Sequence, residues 1–165
     1  MSELIRPLVE DDAQTMLELA IANREFLAPY DTSRAGDYYT LERQRERIVD
    51  PARKHSWLIL DKGEPVGFVG LSGVVRGPLQ LAILSYWVDE RHNGRGLCTR
   101  AVAEVVEFAF DELALHRLEA GTLPDNLASQ RVLEKNGFER YGYAKRYLLI
   151  QGEWRDHVLY ERVAD

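Results

Sequence analysis

Apolar residues recur every three or four positions in two stretches, which predicts one helix early in the chain and one midway. Ala13, Met16, Leu17, Ala20 and Ile21 follow the capping pair Asp11-Asp12 and fall at helical spacing. From about Gly96 to Asp111, Cys98, Ala101, Val102, Val105, Phe108 and Ala109 share one face, and Arg100, Glu104, Glu107 and Asp111 share the other. That is the pattern of a helix packed on one side and wet on the other. Residues 24–50 are polar and aromatic. Their charged run Glu42-Arg43-Gln44-Arg45-Glu46-Arg47 predicts a solvated helix face ended by Pro51, because the residue before a proline avoids the helical region.

Strand-like runs fill the rest. Residues 3–8 alternate weakly and predict a first strand. Trp57-Leu58-Ile59-Leu60 leads through a turn at Asp61-Lys62-Gly63-Glu64 into the β-forming run Pro65 to Val75, and Arg76-Gly77-Pro78 turns again. Leu79 to Val88 is apolar on both faces apart from Gln80 and Ser85, which predicts a buried strand. The three runs form an antiparallel meander ending in a central strand. Beyond the second helix, His116 to Gly121 reads as a strand. Pro124-Asp125-Asn126 opens a short helix that Asn136-Gly137 closes. Phe138 to Ile150 and Glu153 to Val163 then form a hairpin turning at Gln151-Gly152. No repeat or linker interrupts the order, so residues 1–165 are expected to form a single domain. Meander, helix, strand, helix and hairpin together predict an α/β or α+β sheet with helices on its faces.

Composition narrows the classes. With 165 residues, 45% of them apolar, the chain is long enough to bury a core of its own. No run reaches the roughly 20 apolar residues of a membrane helix, and Met1 to Arg6 lacks the basic and then apolar pattern of an export leader. Cys98 is the single cysteine, so no internal disulfide forms. Both observations point to the reducing cytoplasm. The net charge of −6, without a basic stripe, argues against nucleic acid. An acidic surface suits a cationic acceptor such as an amine, and it also serves solubility alone. His55, His92, His116 and His157 show no metal-ligand spacing, so no metal is expected.

The most informative stretch is Val88-Asp89-Glu90-Arg91-His92-Asn93-Gly94-Arg95-Gly96-Leu97, between a buried strand and an amphipathic helix. Two glycines in three residues let the backbone turn tightly against a ligand. The first N–H groups of the helix lack internal partners, and with the helix dipole they make an anion site. Arg91 and Arg95 add charge. The alternative is a surface turn that happens to contain glycines. Thr99 stands where a dinucleotide motif would place its third glycine, and the Gly-Lys-Ser/Thr ending of a P-loop is missing.

Arg91-x-x-Gly94-x-Gly96 resembles the Gln/Arg-x-x-Gly-x-Gly/Ala motif of the GNAT acetyltransferases. About thirty residues on, Asn126-Leu127-Ala128-Ser129-Gln130-Arg131-Val132-Leu133-Glu134-Lys135-Asn136-Gly137-Phe138 is similar to the branch that holds the ribosomal-protein N-terminal acetyltransferases of RimJ/RimL type. The resemblance implies the acyl-CoA N-acyltransferase fold: a mixed, mostly antiparallel central sheet splayed at its middle strands, with helices on both faces. It implies acetyl-CoA as co-substrate, with the pyrophosphate on N–H groups from His92, Asn93, Gly94, Arg95, Gly96 and Leu97. The pantetheine would pair with the strand end at Trp87 and Val88, as an added strand. Asn126 would lie near the pantetheine. Arg131 either reaches the CoA phosphates or is a solvated helix arginine.

Acetyl transfer to an amine needs a neutral amine, a polarised carbonyl, donors for the oxyanion and a donor for the leaving thiolate. Direct attack in a ternary complex needs no covalent intermediate. The resemblance makes Glu119 the candidate base and Ser129 the group facing the sulfur. The structural alternatives are an ion-paired strand glutamate and a serine bonded to its own helix backbone. Many relatives carry a tyrosine acid where this chain has Leu133. Tyr141, Tyr143 and Tyr147 are substitutes, although aromatic strand residues are more often core. Cys98 lies on the apolar stripe and reads as structural. The implied acceptor is a primary amine: a protein or peptide N-terminus, or a small polyamine, amino acid or amino-sugar, contacted by region 24–50 with Tyr30, Asp31, Tyr38 and Tyr39. A non-catalytic acyl-CoA-binding module is the alternative function. The C-terminal hairpin offers an edge for a homodimer.

Overall fold

The computed structural model describes residues 3–32 and 36–165. Met1-Ser2, in the stretch read for an export leader, and Ser33-Arg34-Ala35, in the acceptor region, lie outside the described residues. The strands are β1 (Ile5–Pro7), β2 (His55–Asp61), β3 (Glu64–Val75), β4 (Leu81–Val88), β5 (Arg117–Thr122), β6 (Glu139–Ile150) and β7 (Glu153–Val163). The α-helices are α1 (Ala13–Ala22), α2 (Arg24–Leu27), α3 (Leu41–Val49), α4 (Leu97–Glu107) and α5 (Leu127–Lys135). The strands form one sheet in the order β1-β2-β3-β4-β5-β7-β6. Every neighbouring pair is antiparallel except β4 with β5.

That parallel ladder is short. It joins Leu81 to Arg117, Ala82 to Leu118 and Ile83 to Glu119 and ends there, although β4 continues to Val88 and β5 to Thr122. The sheet is therefore split between its middle strands, with the backbone edge of β4 beyond Ile83 facing a gap.

Alternation along the strands assigns the two faces. Trp57 meets the Phe108 ring edge-on at 5.1 Å, which puts its face against α4 and the π-type turn Phe108–Glu112 that ends it. Tyr86 and Tyr160 reach α5 on the same face. Leu58 and Ile59 are both fully buried, so the opposite face of β2 is covered too, and α1 packs on α3 and on β3. Asp12, read as a cap for α1, is taken instead by Arg6, at 2.6 and 2.8 Å, and by the Val9 N–H.

Two expectations change. β4 is not buried on both faces: Ile83 and Ser85 are exposed, because α1 packs chiefly on β3 and leaves β4 at the margin. The charged run of α3 is solvated except at Gln44, which is buried and donates to the Tyr38 carbonyl at 2.6 Å.

Gly67 controls how closely β3 approaches the end of β4. A Cβ there would collide with the Trp87 carbonyl and lie 2.9 Å from Val88 Cα. Gly67→Ala is expected to destabilise by about 1–3 kcal/mol, the usual cost of overpacking, and to lower acetyl-CoA affinity by shifting Trp87 and Val88. Chemical denaturation and calorimetry check it; unchanged stability would mean that β4 has room to move.

Candidate active site

A cleft of about 850 Å³ occupies the split. On the α4–α5 side it is lined by Gly94, Gly96, Leu97, Asn126 and Ser129, and on the other side by Phe26, Tyr30, Asp31, Tyr38 and His157. It thus passes through the sheet, and two molecules can meet in it from opposite faces.

The turn between β4 and α4 is built by Asp89, which is buried. Its carboxylate accepts from the Arg91 N–H at 3.2 Å and from the Arg91 guanidinium at 2.6 Å. The buried Asn23 at the end of α1 accepts the Glu90 N–H at 2.9 Å. Arg95 pairs with Asp61 at 3.1 Å. Arg91 and Arg95 are thus already neutralised by carboxylates, and neither is among the residues lining the cleft. His92 is half-buried, its Nδ1 3.5 Å from Asp89 without a hydrogen bond.

Gly94 and Gly96 adopt φ of +74° and +72°, the left-handed region that glycine enters without a Cβ penalty. Gly96 caps α4 with no side-chain acceptor, and Arg100 N–H to Gly96 O is the first intrahelical bond. The N–H groups of Leu97, Cys98 and Thr99 precede it and point out of the helix start. Those of His92, Asn93 and Gly94, expected as donors to phosphate, are used inside the turn, by Asp89 O, Glu90 O and Asn93 Oδ1. The N–H groups left available to an anion are therefore those at the helix start. With the unpaired β4 edge beside it, this fits a pyrophosphate followed by an amide-bearing arm.

The Arg91 hydrogen bond holds the Asp89 carboxyl below the usual carboxylate range, with burial opposing. A carboxyl lowered on folding stabilises the fold above its ordinary pKa of about 3.9, and that contribution is lost as pH falls through the lowered value. Asp89→Asn is expected to reduce stability at neutral pH and to flatten the acid limb of a plot of Tm against pH. An unchanged limb would show that Asp89 is not held by Arg91 in solution.

Ser129, in the first turn of α5, lines the cleft. Asn126 caps that helix by accepting the Ser129 N–H at 3.2 Å. The Tyr86 hydroxyl, from β4, lies 2.8 Å from Ser129 Oγ and 3.1 Å from its carbonyl oxygen. Burial, only partly offset by the hydrogen bond to Ser129, pushes the Tyr86 phenol well above its ordinary value, so it stays protonated through the neutral range. Tyr86 was not singled out from the sequence. The available signal was its place beside Trp87 and Val88, on the alternate face of a strand leading into the glycine turn. Arg131 lines the same cleft from an exposed position.

Glu119 stands elsewhere. It accepts from Arg117 Nε at 2.7 Å, and Arg117 also bonds Glu161 on β7. It sits at the last rung before the split and is not among the residues lining the cleft. In the structure its carboxylate is engaged in an ion-pair network that ties β5 to β7. Tyr141 lies under the Arg117 guanidinium, Tyr143 donates to Asp156 at 2.7 Å, and neither lines the cleft. Leu133 is fully buried. Cys98 borders the cleft, but burial pushes its thiol up to about 12, so it is no nucleophile at neutral pH. Among the described residues there is no cluster of metal-ligating side chains, and no helix is long and apolar enough to cross a membrane.

A split sheet with an anion cradle at one mouth and a second opening opposite defines an acyl-CoA-dependent acyltransferase. The family model for the acetyltransferase (GNAT) domain matches residues 4–139, and the chain belongs to the GNAT acetyltransferases, on the RimJ/RimL-type branch. It is similar to a probable N-acetyltransferase, YjcK, of Bacillus subtilis, 43% identical over 93% of this chain and 89% of that one. It is similar to the [ribosomal protein uS5]-alanine N-acetyltransferase of Escherichia coli, 33% identical over 94% and 85%. The solved Mycobacterium smegmatis RimJ in complex with CoA-disulfide superposes with a TM-score of 0.89 at 30% identity, over 97% of this chain and 81% of that one. The protein is an acetyl-CoA-dependent N-acetyltransferase, and the mixed, splayed sheet is the fold that its motifs imply.

Proposed function

We propose that the protein acetylates the α-amine of a protein N-terminus by direct attack in a ternary complex. The observation that carries this is the through-going cleft. Acetyl-CoA enters on the α4–α5 side, while the far mouth, bordered by α2, α3 and by Tyr30, Asp31, Asp37 and Tyr38, opens to solvent. An extended peptide end can enter that mouth, with Asp31 and Asp37 beside it to attract its positive charge. The activity printed for the Escherichia coli relative, on an alanine of a ribosomal protein, supports the same class of acceptor.

In this reading the helix start at Leu97 to Thr99 holds the pyrophosphate, and Trp87 and Val88 align the pantetheine. Asn126 fixes the first turn of α5, and Ser129 donates to the departing sulfur. Arg131 adds charge at the phosphate end. The long edge strand β6, with Tyr141, Tyr143 and Tyr147 exposed, is the proposed homodimer surface, read by light scattering.

Thiol release from acetyl-CoA is measured against peptides with varied N-termini, spermidine, free amino acids and amino-sugars, with mass spectrometry to locate the acetyl group. Turnover on a peptide α-amine is expected. Turnover confined to a small amine would overturn the assignment of the acceptor and leave the acetyltransfer intact.

A further inference from the structure

We propose that His157 is the base that takes the proton from the attacking amine; this rests on the acetyl-transfer reading of the cleft. His157 is 3% exposed, yet it lines the cleft. It lies on β7 just past the last β5–β7 pair, Thr122 with Val158, where β5 has ended and no longer covers it. Buried Val158 and Tyr160 alternate with it, and Tyr160 reaches α5. His157 therefore faces the opposite side, the mouth assigned to the acceptor.

The ring is fixed in one useful tautomer. Nδ1 lies 3.2 Å from the Arg155 carbonyl oxygen. A carbonyl only accepts, so Nδ1 carries the hydrogen and Nε2 holds the lone pair. The Tyr147 ring packs against the imidazole at 5.6 Å between centroids. The hydrogen bond to Arg155 uses Nδ1, which leaves Nε2 for the cleft. Space beside the ring is kept by Gly121, where a Cβ would come within 3.6 Å of His157 Cδ2. A larger side chain at that place would fill the approach of an amine. Tyr147 is a titratable group in contact with the ring. Asp156, next in sequence, is occupied by Tyr143 and the Arg146 N–H, and Asp31, Asp37, Arg43 and Arg47 line the cleft with it.

The step balances without a further reactant. The amine lone pair forms the C–N bond at the thioester carbonyl, and the C–S bond breaks with its electrons on sulfur. The N–H proton passes to Nε2 and from there to solvent or to the sulfur. The products are the amide and the CoA thiol.

The test is the kcat–pH profile of the wild type, His157→Gln and Glu119→Gln on an acceptor peptide, with acetyl-CoA affinity by calorimetry. His157→Gln is expected to lower kcat between about tenfold and a hundredfold, the lower reach of general-base effects, and to erase the acid limb. Its acetyl-CoA Kd should stay within about twofold, and added imidazole should restore part of the rate to His157→Ala. Glu119→Gln should keep the limb. A His157→Gln enzyme with the wild-type kcat and limb would overturn the proposal, as would loss of the limb in Glu119→Gln alone. Should both His157 variants unfold, a wild-type kcat profile flat on the acid side overturns it equally. Failure of the wild type to bind acetyl-CoA is a different result and would sink the cleft reading itself.

Discussion

Gly96→Val is expected to weaken acetyl-CoA binding by at least about a hundredfold while the chain still folds. Gly96 holds φ of +72° and caps α4, and a β-branched residue in the left-handed region is strained by about 1–2 kcal/mol. A domain stable by about 5–15 kcal/mol survives that. A Cβ at Gly96 meets nothing within 4 Å, so the protein itself does not resist the side chain. In the proposed binding mode that open space is where the phosphates approach the N–H groups of Leu97, Cys98 and Thr99. Hydrogen bonds to a charged group contribute about 1.5–3 kcal/mol each, so losing two of them amounts to a factor of a hundred or more in Kd. Calorimetry with acetyl-CoA reads the affinity, and far-ultraviolet circular dichroism reads the fold. Near-native affinity in a folded variant would mean that the phosphates lie away from this helix start.

The same turn shows how far the sequence alone carries. Two glycines between a strand and an amphipathic helix were enough to mark a candidate anion site, because positive φ and unpaired helix N–H groups are local properties. The partners of the loop were not legible. Arg91 and Arg95 look like phosphate ligands in a linear reading, but Asp89 and Asp61 pair with them, and Asp61 comes from the end of β2, thirty-four residues before Arg95. The split between β4 and β5 leaves no mark in either strand, since it depends on where a parallel ladder stops. It entered through family resemblance. Glu119 and His157 illustrate the same limit. One is a carboxylate in the setting expected of a base, drawn into an ion pair by Arg117. The other is a histidine that showed no spacing of interest, brought to the cleft only because β7 outruns β5.

The second large effect is expected at Ser129. Tyr86 has one hydroxyl hydrogen and two acceptors within reach, Ser129 Oγ at 2.8 Å and the Ser129 carbonyl at 3.1 Å. When Tyr86 donates to the carbonyl, Ser129 donates back to the phenol oxygen. When Tyr86 donates to Oγ, the serine hydrogen is released toward the cleft. The second arrangement is useful only once negative charge develops on sulfur, so it stabilises the transition state more than bound acetyl-CoA. Ser129→Ala should therefore lower kcat by about a hundredfold to a thousandfold, the range for loss of one preorganised donor, with little change in acetyl-CoA Kd. Tyr86→Phe leaves the serine but removes its support, and about a tenfold loss is expected. The double variant should be scarcely slower than Ser129→Ala, because Tyr86 acts through the serine. Steady-state kinetics and calorimetry on the three variants separate the cases. Additive losses would mean that Tyr86 reaches the sulfur by itself, and an unchanged kcat in Ser129→Ala would assign the serine to capping α5 and leave the thiolate to solvent.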